Sequence, residues 1–347
     1  MKILMIGGTG TISSAITRQL AASGHELWLL NRGTRKDEVP ANVKQIITDI
    51  DDEASVLAGL PVEPFDAVCE FIGFVPAQVE RDIRLFRGRT RQYVYISSAS
   101  AYNTPLRDAV ITEGTALANP HWEYSRNKIA CEELLMREYR DNSFPVTIVR
   151  PSHTYCERAV PLSVHGLKGS WAVLKRMMDG KPVIVHGDGS SLWTLTWNED
   201  FARGFIGLLG NPKAIGEAFQ IMSDEQLTWD QIYQTVADAL GVAFKPCHVA
   251  SDFLAAVCPP VYDLEGNLLG DKAATVIFDC SKLKRAVPGF CCTTRFDEGV
   301  RRCIAYLRNH PELQVDDPSF DAWCDRVIAA QEEAKRKLVE TTKIQPE

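Results

Sequence analysis

Short apolar runs alternate with amphipathic stretches through the first half of the chain. The first run, at residues 3–6, is long enough for one buried strand and too short for a membrane helix. Apolar and small residues then recur at helical spacing as far as residue 20. The pattern predicts further strands at 26–30, 43–48, 67–71, 92–96 and 146–149, and a helix at 52–58. Strands alternating with helices predict an α/β fold with a doubly wound parallel sheet.

The pattern changes after residue 155. Helices are predicted at 166–180 and 199–209, strands at 182–186 and 218–221, and a helix to residue 240 with Thr228 as its N-cap. Residues 259–275 are rich in Pro, Gly and charge, which predicts a long surface loop or lid. An amphipathic helix is predicted at 319–338, before a polar, frayed end. We therefore expect one domain at 1–157, with return segments near 190–221, and a smaller mixed α/β domain at 158–347.

The first apolar run ends in a glycine-rich turn that contains Gly7, Gly8 and Gly10. Glycines permit a tight turn and let a pyrophosphate approach the backbone, and the following helix directs unpaired N–H groups at that anion. A plain strand–turn–helix would give a similar motif, but the strand before it and the catalytic set after it favour dinucleotide binding. Ser13 replaces the third glycine of the usual spacing, so we expect a slightly displaced helix.

Composition narrows the class of protein. The 347 residues are 45% hydrophobic and 24% charged, as in an ordinary globular protein, and the net charge of -7 argues against a nucleic-acid partner. No apolar run suits a membrane span, and a strand that begins at residue 2 leaves no room for a signal peptide, so we expect a cytoplasmic protein. The 10 cysteines lack Cys-x-x-Cys and His/Cys ligand spacing, which predicts reduced thiols and no metal site.

A tyrosine and a lysine form the candidate catalytic pair. Tyr124 and Lys128 stand at i and i+4, so both project from one face of a helix. A lysine beside a tyrosine favours the phenolate, and Tyr124 could then exchange a proton with a substrate alcohol or carbonyl while a cofactor exchanges hydride. Ser98, at the end of the fifth strand, could hold the same substrate oxygen.

These motifs resemble those of extended short-chain dehydrogenases of the NAD-dependent epimerase/dehydratase family, which includes nucleotide-sugar epimerases. The matching segments are residues 7–10, 49–50, 71–73, 97–102, 124–128 and 150–155. The second half, at 187–219, is most similar to a subgroup containing chloroplast stem-loop binding proteins. The resemblance implies a Rossmann domain, a bound nicotinamide cofactor, a smaller substrate domain and a homodimer. It also implies that Tyr124 is the acid/base, that Lys128 binds the ribose and Tyr124, and that Ser98 binds the substrate oxygen.

The resemblance carries further roles to positions at the strand ends. It assigns the cofactor to Gly7, Gly10, Thr11, Ile12, Asn31, Arg32, Asp49, Ile50, Phe71, Ile72, Gly73, Ile96, Tyr124, Lys128 and Pro151. It assigns the substrate to Phe74, Ser100, His153 and Trp193.

Three positions depart from the family pattern. The family often has an arginine that holds a diphosphate where this chain has Trp193, and an indole cannot provide that bidentate clamp. His153 stands in place of an asparagine and Cys156 in place of a glycine. These departures leave the redox residues intact and weigh against a standard nucleotide-sugar substrate.

The end of the second strand bears on the choice of cofactor. It has no Asp or Glu to bind the ribose hydroxyls, which would select NAD. Arg32 with Arg35 could meet a 2′-phosphate, which favours NADP, whereas an Arg32 stacked on adenine would suit either cofactor.

The sequence thus predicts an NAD(P)-dependent epimerase, dehydratase or reductase acting on a secondary alcohol or ketone, with a sugar or sugar nucleotide among its candidate substrates. One alternative is an RNA-binding protein of the stem-loop type, based on an arginine run that also fits a solvated helix end and turn. Another is a non-catalytic NAD(P) sensor. His153 fits either a second acid/base or a packed histidine, and the tryptophans either a pocket wall or the core. The residues in these last alternatives are Arg81, Arg84, Arg87, Arg89, Arg91, Trp171, Trp193 and Trp197.

Overall fold

A computed structural model describes residues 1–34 and 39–342. The elements up to residue 155 are β1 (Lys2–Ile6), α1 (Ser13–Ala22), β2 (Glu26–Asn31), β3 (Lys44–Ile47), α2 (Glu53–Gly59), β4 (Ala67–Glu70), α3 (Pro76–Phe86), β5 (Tyr93–Ile96), β6 (Val110–Ile111), α4 (Glu123–Asn142), β7 (Val146–Arg150) and β8 (His153–Tyr155).

The remaining elements follow in chain order. They are α5 (Trp171–Met178), β9 (Val183–His186), β10 (Leu192–Trp193), β11 (Leu195–Trp197), α6 (Asn198–Leu208), β12 (Ala218–Gln220), β13 (Leu227–Thr228), α7 (Trp229–Leu240), β14 (Pro246–Val249), α8 (Ser251–Val257), a π-helix (Glu265–Lys272), β15 (Ile277–Phe278), α9 (Ser281–Ala286), α10 (Phe296–Asn309) and α11 (Pro318–Thr341).

A seven-stranded parallel sheet organises the first part of the fold, in the order β12-β7-β5-β4-β1-β2-β3. Helices cover both faces. One face packs side chains such as Ile16 of α1 and Phe205 of α6, and the other packs side chains such as Val56 of α2 and Leu135 of α4. Because the inner strands are buried on both sides, they are mostly apolar, with exceptions such as Glu70 in β4 and Thr147 in β7. The predicted doubly wound α/β sheet is confirmed.

The described residues form two compact units. The first contains Met1–Cys156, Thr194–Gln226 and Val276–Phe296, and it includes the whole seven-stranded sheet. Three sets of contacts attach its last segment, Val276–Phe296, to the rest of the unit. β15 pairs with β6, Phe290 joins the core beside α6, and the N–H groups of Thr293 and Thr294 donate to the buried carboxylate of Asp200.

The second unit contains Glu157–Trp193, Leu227–Thr275 and the described residues from Asp297 onward. The predicted N-cap is confirmed, because the Thr228 hydroxyl accepts from the Gln231 N–H at the start of α7. The surface loop or lid predicted at 259–275 is wrong. A π-helix occupies Glu265–Lys272, and Leu268 and Lys272 are buried within it.

The amphipathic tail of the second unit is helical as predicted. In α11, the side chains of Phe320 and Trp323 pack against Tyr262 with ring centroids 5.8 Å apart in each case. The helix continues to Thr341, beyond the predicted end, and residues 343–347 lie outside the described part. Among the described residues, no helix combines the length and apolar composition that a bilayer span requires.

Candidate active site

In the glycine turn after β1, the backbone lies very close to the side chain of Ile72. Gly7 has a φ of 85°, in the left-handed region, and a Cβ there would lie 2.6 Å from a methyl carbon of Ile72. Only glycine fits that position. The hydroxyl of Ser13 donates to the Gly7 carbonyl at 2.6 Å and accepts from the Gly10 N–H at 2.9 Å. The Ser13 hydroxyl therefore bridges Gly7 and Gly10 across the turn, and glycine has no side chain that could form this bridge.

A second contact fixes the far side of this turn. The Asn198 side chain, at the start of α6, donates to the Thr11 carbonyl at 3.0 Å. Its Oδ1 is fully buried and has no hydrogen-bond partner among the described residues. Ile12, the last residue before α1, packs against the core. The turn is thus held by side chains from α1 and α6.

The end of β2 and the segment after β3 form the predicted adenine end. The Asn31 side chain accepts from the Gly33 N–H at 2.8 Å, and Arg32 is exposed. Ile50 is buried in the core, whereas Asp49 accepts from the Asp51 N–H at 3.1 Å. Arg35, on which the predicted phosphate contact partly depends, lies outside the described residues.

Lys128 is buried where β4 and β5 end. Its side chain is 1% exposed, and its Nζ donates to the carbonyls of Gly73 at 2.7 Å and Ile96 at 2.8 Å. Nζ also lies 4.8 Å from the ring centroid of Phe74 and 5.8 Å from that of Tyr124. Burial disfavours the ammonium and lowers the pKa of Lys128 to about 8. The predicted Tyr–Lys pair is therefore close in space.

The Tyr124 ring lies among aromatic side chains. Its centroid is 4.9 Å from that of Trp122 and 6.4 Å from that of Phe74. The residue is half-buried. A cation 5.8 Å away in such surroundings stabilises a phenolate more than a water-exposed lysine would.

Three serines form a chain of hydroxyl groups beside this pair. Ser125 donates to Ser100 at 2.7 Å, and the hydroxyls of Ser100 and Ser98 are 2.8 Å apart. The Ser100 N–H also donates to the Ser98 hydroxyl oxygen, at 3.2 Å. Ser100 accepts from Ser125 and can donate its own proton to Ser98, and in that arrangement Ser98 keeps a proton to donate. The sequence did not predict Ser125, which is buried directly after Tyr124.

The remaining predicted residues are distributed over both units. In the first, the Pro151 carbonyl accepts from the Ala99 N–H at 2.8 Å, and His153 lies on β8, which pairs with β11. In the second, Trp193 is 2% exposed and stacks on Trp229, with ring centroids 5.8 Å apart. Trp193 thus packs in the core of its unit.

A sequence profile of the NAD dependent epimerase/dehydratase family matches residues 3–221. The chain belongs to this family. The predicted resemblance is confirmed, and so is the prediction of an oxidoreductase-type enzyme of this family.

Relatives of this epimerase/dehydratase-family enzyme differ in activity. The 2'-dehydrokanamycin reductase of Streptomyces kanamyceticus is 26% identical over 290 residues, which cover 84% of this chain and 80% of the relative. The chloroplast stem-loop binding protein of 41 kDa b from Arabidopsis thaliana is 27% identical, over 69% of this chain and 63% of its own length. The structure of UDP-glucuronic acid 4-epimerase from Bacillus cereus, in complex with NAD, superposes with a TM-score of 0.69 at 18% identity, over 92% of this chain and 100% of that one. This last likeness supports the fold.

Several buried polar atoms at the strand ends fit a polar ligand. Within the described part of the first unit, the hydroxyls of Ser97, Ser152, Thr154 and Thr194 are buried without a hydrogen-bond partner, as is Oδ1 of Asn198. Such groups are rare in folded proteins and cost free energy unless a partner is supplied. Together with the glycine turn, they make the family's dinucleotide cofactor compatible with these residues.

The arginine run before β5 is mostly exposed, as expected for a solvated helix end and turn, and Arg81 is the exception. Arg81 is 4% exposed and pairs with Asp51 at 2.5 Å and Asp82 at 2.8 Å. The other ion pairs of the run are Arg84 with Glu53, Arg87 with Glu138 and Arg91 with Asp66. Arg81 is buried because its two carboxylate partners offset the loss of water.

No group of three or more His, Cys, Asp or Glu side chains suited to a metal ion is found in residues 1–34 and 39–342.

Proposed function

We propose that this enzyme moves hydride between a nicotinamide dinucleotide and a secondary alcohol or ketone of a sugar-like substrate, with Tyr124 as acid/base. The observation that carries the proposal is the buried Lys128 cation, 5.8 Å from the Tyr124 ring and adjacent to a hydroxyl chain that ends on Ser98.

The residues divide the work. When bound, the cofactor supplies or accepts the hydride, and the turn at Gly7–Gly10 with Ser13 and Lys128 would hold it. Tyr124 gives a proton to a carbonyl oxygen or takes one from an alcohol, because Lys128 stabilises its phenolate. Ser98 donates its free proton to the same oxygen and keeps that oxygen near the phenol.

The proposed substrate class rests on two relatives and on Trp193, which stands where the family often has an arginine. One relative is named for reduction of a dehydro-aminoglycoside, and another is a UDP-glucose 4-epimerase from Lactobacillus helveticus that is 29% identical over 170 residues. Trp193, buried against Trp229, offers no cation for a diphosphate at its position. We therefore favour the carbonyl or alcohol of a sugar that carries no diphosphate.

The cofactor in the proposal is NADP. Arg32 is exposed at the end of β2, and that strand end has no carboxylate in the described residues to bind ribose hydroxyls. A 2′-phosphate would gain a charged partner there. Titration of the apo-protein with each cofactor is expected to give a smaller dissociation constant for NADP than for NAD, and equal values would contradict the phosphate contact.

A homodimer through α4 and its neighbour α3 is also part of the proposal, by analogy with the family. Both helices pack on one face of the sheet in the first unit. Light scattering should give twice the 38.6 kDa of the single chain.

Replacing Tyr124 tests the proposed chemistry. Tyr124→Phe removes the proton and keeps the ring, so turnover should fall by about 10²–10⁴, the usual contribution of a positioned acid/base. Oxidation of NADPH and NADH is measured with 2'-dehydrokanamycin as the carbonyl substrate. Reduction of NADP⁺ and NAD⁺ is measured with free hexoses and UDP-hexoses as the alcohol substrates, and chromatography of the sugars detects epimerisation that leaves no net change in the cofactor. Tyr139→Phe is the matched control, because Tyr139 lies on the same helix with no role in the proposal.

The alternatives give other results. Turnover that survives Tyr124→Phe would contradict the acid/base assignment. A protein that binds NADPH but turns over no member of the panel would be a sensor. A gel-shift with structured RNA tests the stem-loop reading, for which four ion-paired arginines leave less positive charge than the sequence suggested.

A further inference from the structure

β4 ends in a carboxyl group with no access to solvent. Glu70 is 0% exposed, and one of its oxygens accepts from the Ile72 N–H in the turn that follows. A Cβ at Gly73 would lie 3.1 Å from Glu70 Cγ and 3.3 Å from the Tyr95 ring. The Glu70 side chain is therefore packed directly beneath this turn and shapes it.

The same turn also binds Lys128. The Gly73 carbonyl accepts from the Tyr95 hydroxyl at 3.0 Å and from Lys128 Nζ at 2.7 Å. Among the residues that the structure describes, the other oxygen acceptor of Lys128 is the Ile96 carbonyl at 2.8 Å. A shift of the Gly73 carbonyl would therefore change the position of the Lys128 cation.

A second buried carboxyl group faces Glu70. Asp82 of α3 is 0% exposed and lies within hydrogen-bonding reach of Glu70. It accepts from the Tyr93 hydroxyl at 2.7 Å and from Arg81 at 2.8 and 3.0 Å. Within the described part of the chain, the second oxygen of Glu70 receives no N–H or O–H donor.

One proton must lie between these two groups, because ionised carboxylates only accept hydrogen bonds. Burial raises the pKa of Asp82 too, but its donors Arg81 and Tyr93 oppose that effect and stabilise Asp82 as the carboxylate. Burial and the adjacent charge of Asp82 raise the pKa of Glu70 well above its usual range. Glu70 is thus the protonated member, and it donates to Asp82 while it accepts from Ile72.

The network continues to the opposite end of the cofactor region. Arg81 reaches Asp51 at 2.5 Å, directly after the predicted adenine-flanking residues Asp49 and Ile50. The exposed carboxylate of Asp51 is thus linked, through the buried groups Arg81, Asp82 and Glu70, to the turn that holds Lys128.

We propose that Glu70 is a positioning residue: a neutral carboxyl group that shares its proton with Asp82 and fixes the turn whose Gly73 carbonyl orients Lys128. The inference rests on the proposed role of Lys128 in the site. The titratable groups that act on Glu70 come from β4, β5, α3 and α4, and they are Cys69, Tyr93, Arg81, Asp82 and Lys128.

Acetylation of Lys128 in the apo-protein tests the positioning. Acetic anhydride is added at pH 8, and modification of Lys128 is quantified by mass spectrometry. Glu70→Ala removes the buried acceptor of the Ile72 N–H, so the turn should open and Lys128 should react about tenfold faster. Glu70→Gln keeps an acceptor for Ile72 and a donor for Asp82, so it should restore the slow reaction. The conservative variant thus separates the hydrogen bonds from mere volume.

Asp200→Asn is the matched control. Asp200 is also 0% exposed and accepts backbone N–H groups, but it lies on α6 and does not contact Lys128. Its variant should leave the rate at Lys128 unchanged. A Glu70→Ala rate equal to that of the wild type, or a Glu70→Gln rate as fast as that of Glu70→Ala, would overturn the proposal.

A second variant tests where the proton lies. In Asp82→Asn the new amide can donate to Glu70, which then becomes a carboxylate and raises the pKa of Lys128. Acetylation at pH 8 should slow by up to about tenfold per unit of pKa. Adding Glu70→Gln should abolish the slowing. An unchanged or faster reaction in Asp82→Asn would place the proton on Asp82 and contradict the assignment.

These acetylation measurements need neither substrate nor cofactor, so their outcome is independent of the result for Tyr124→Phe.

Discussion

Ser13 shows how a side-chain hydroxyl can stabilise a glycine-rich turn at a position where the usual spacing has glycine. The sequence identified its position from the glycine spacing and predicted a displaced helix. It could not predict that the hydroxyl bridges Gly7 and Gly10, because that depends on the turn's geometry. Glu70 was missed for the same reason. A buried acid at the end of the apolar stretch Ala67–Glu70 is a visible anomaly, but its partners come from α3 and the following turn.

Removing the Ser13 hydroxyl should loosen the turn. Ser13→Ala leaves the Gly10 N–H and the Gly7 carbonyl without a partner, at a cost of about 1–3 kcal/mol. We expect weaker NADPH binding by about tenfold, measured by fluorescence titration, where about 1.4 kcal/mol corresponds to tenfold. Ser13→Gly, which restores the usual spacing, should be equally impaired. Ser14→Ala, at a half-buried neighbour, is the control, and wild-type affinity in Ser13→Ala would refute the role of the bridge.

At the scale of elements, the sequence predicted the strands of the central sheet reliably. The strands of the central sheet were predicted to within two residues. Burial on both faces leaves a mostly apolar run in the inner strands β1, β4, β5 and β7. The prediction failed at 259–275, where Gly, Pro and charged residues suggested a loop. Leu264 and Leu268 are nevertheless buried there, so tertiary packing outweighed composition. The partners of Lys128 could not be predicted because they are backbone carbonyls from two other elements.

His186, at the end of β9, gives the second unit an acid-sensitive point. It is 1% exposed, bonds to Ser163 and to the Lys272 carbonyl, and burial lowers its pKa to about 4. Below pH 6.5 the unfolded chain takes up a proton that the folded one does not, so stability falls as the pH drops towards 4. The free-energy difference between wild type and His186→Gln should change by about 3 kcal/mol between pH 7 and 4. Urea unfolding at both pH values measures it, and parallel pH dependences would contradict the assignment.

At the scale of the molecule, the first unit depends on a segment far along the chain. Val276–Phe296 supplies β15, the core side chain of Phe290, and backbone N–H groups that donate hydrogen bonds to the Asp200 carboxylate. A chain truncated after Thr275 should therefore fail to bind NADPH, measured by fluorescence titration. A chain truncated after Gln314 keeps the segment and loses α11, and it should still bind. Equal binding by both truncated chains would show that the segment is dispensable.

The same returning segment sets an order on synthesis. All seven strands of the sheet have left the ribosome once residue 220 has emerged, yet the apolar surface of α6 at Gly204, against which the Phe290 ring packs, stays uncovered until Phe290 emerges. At about 5–20 residues per second, the nascent chain exposes this apolar surface for several seconds while most of Leu227–Thr275 is translated. Leu227–Thr275, which belongs to the second unit, is thus translated before the last segment of the first unit.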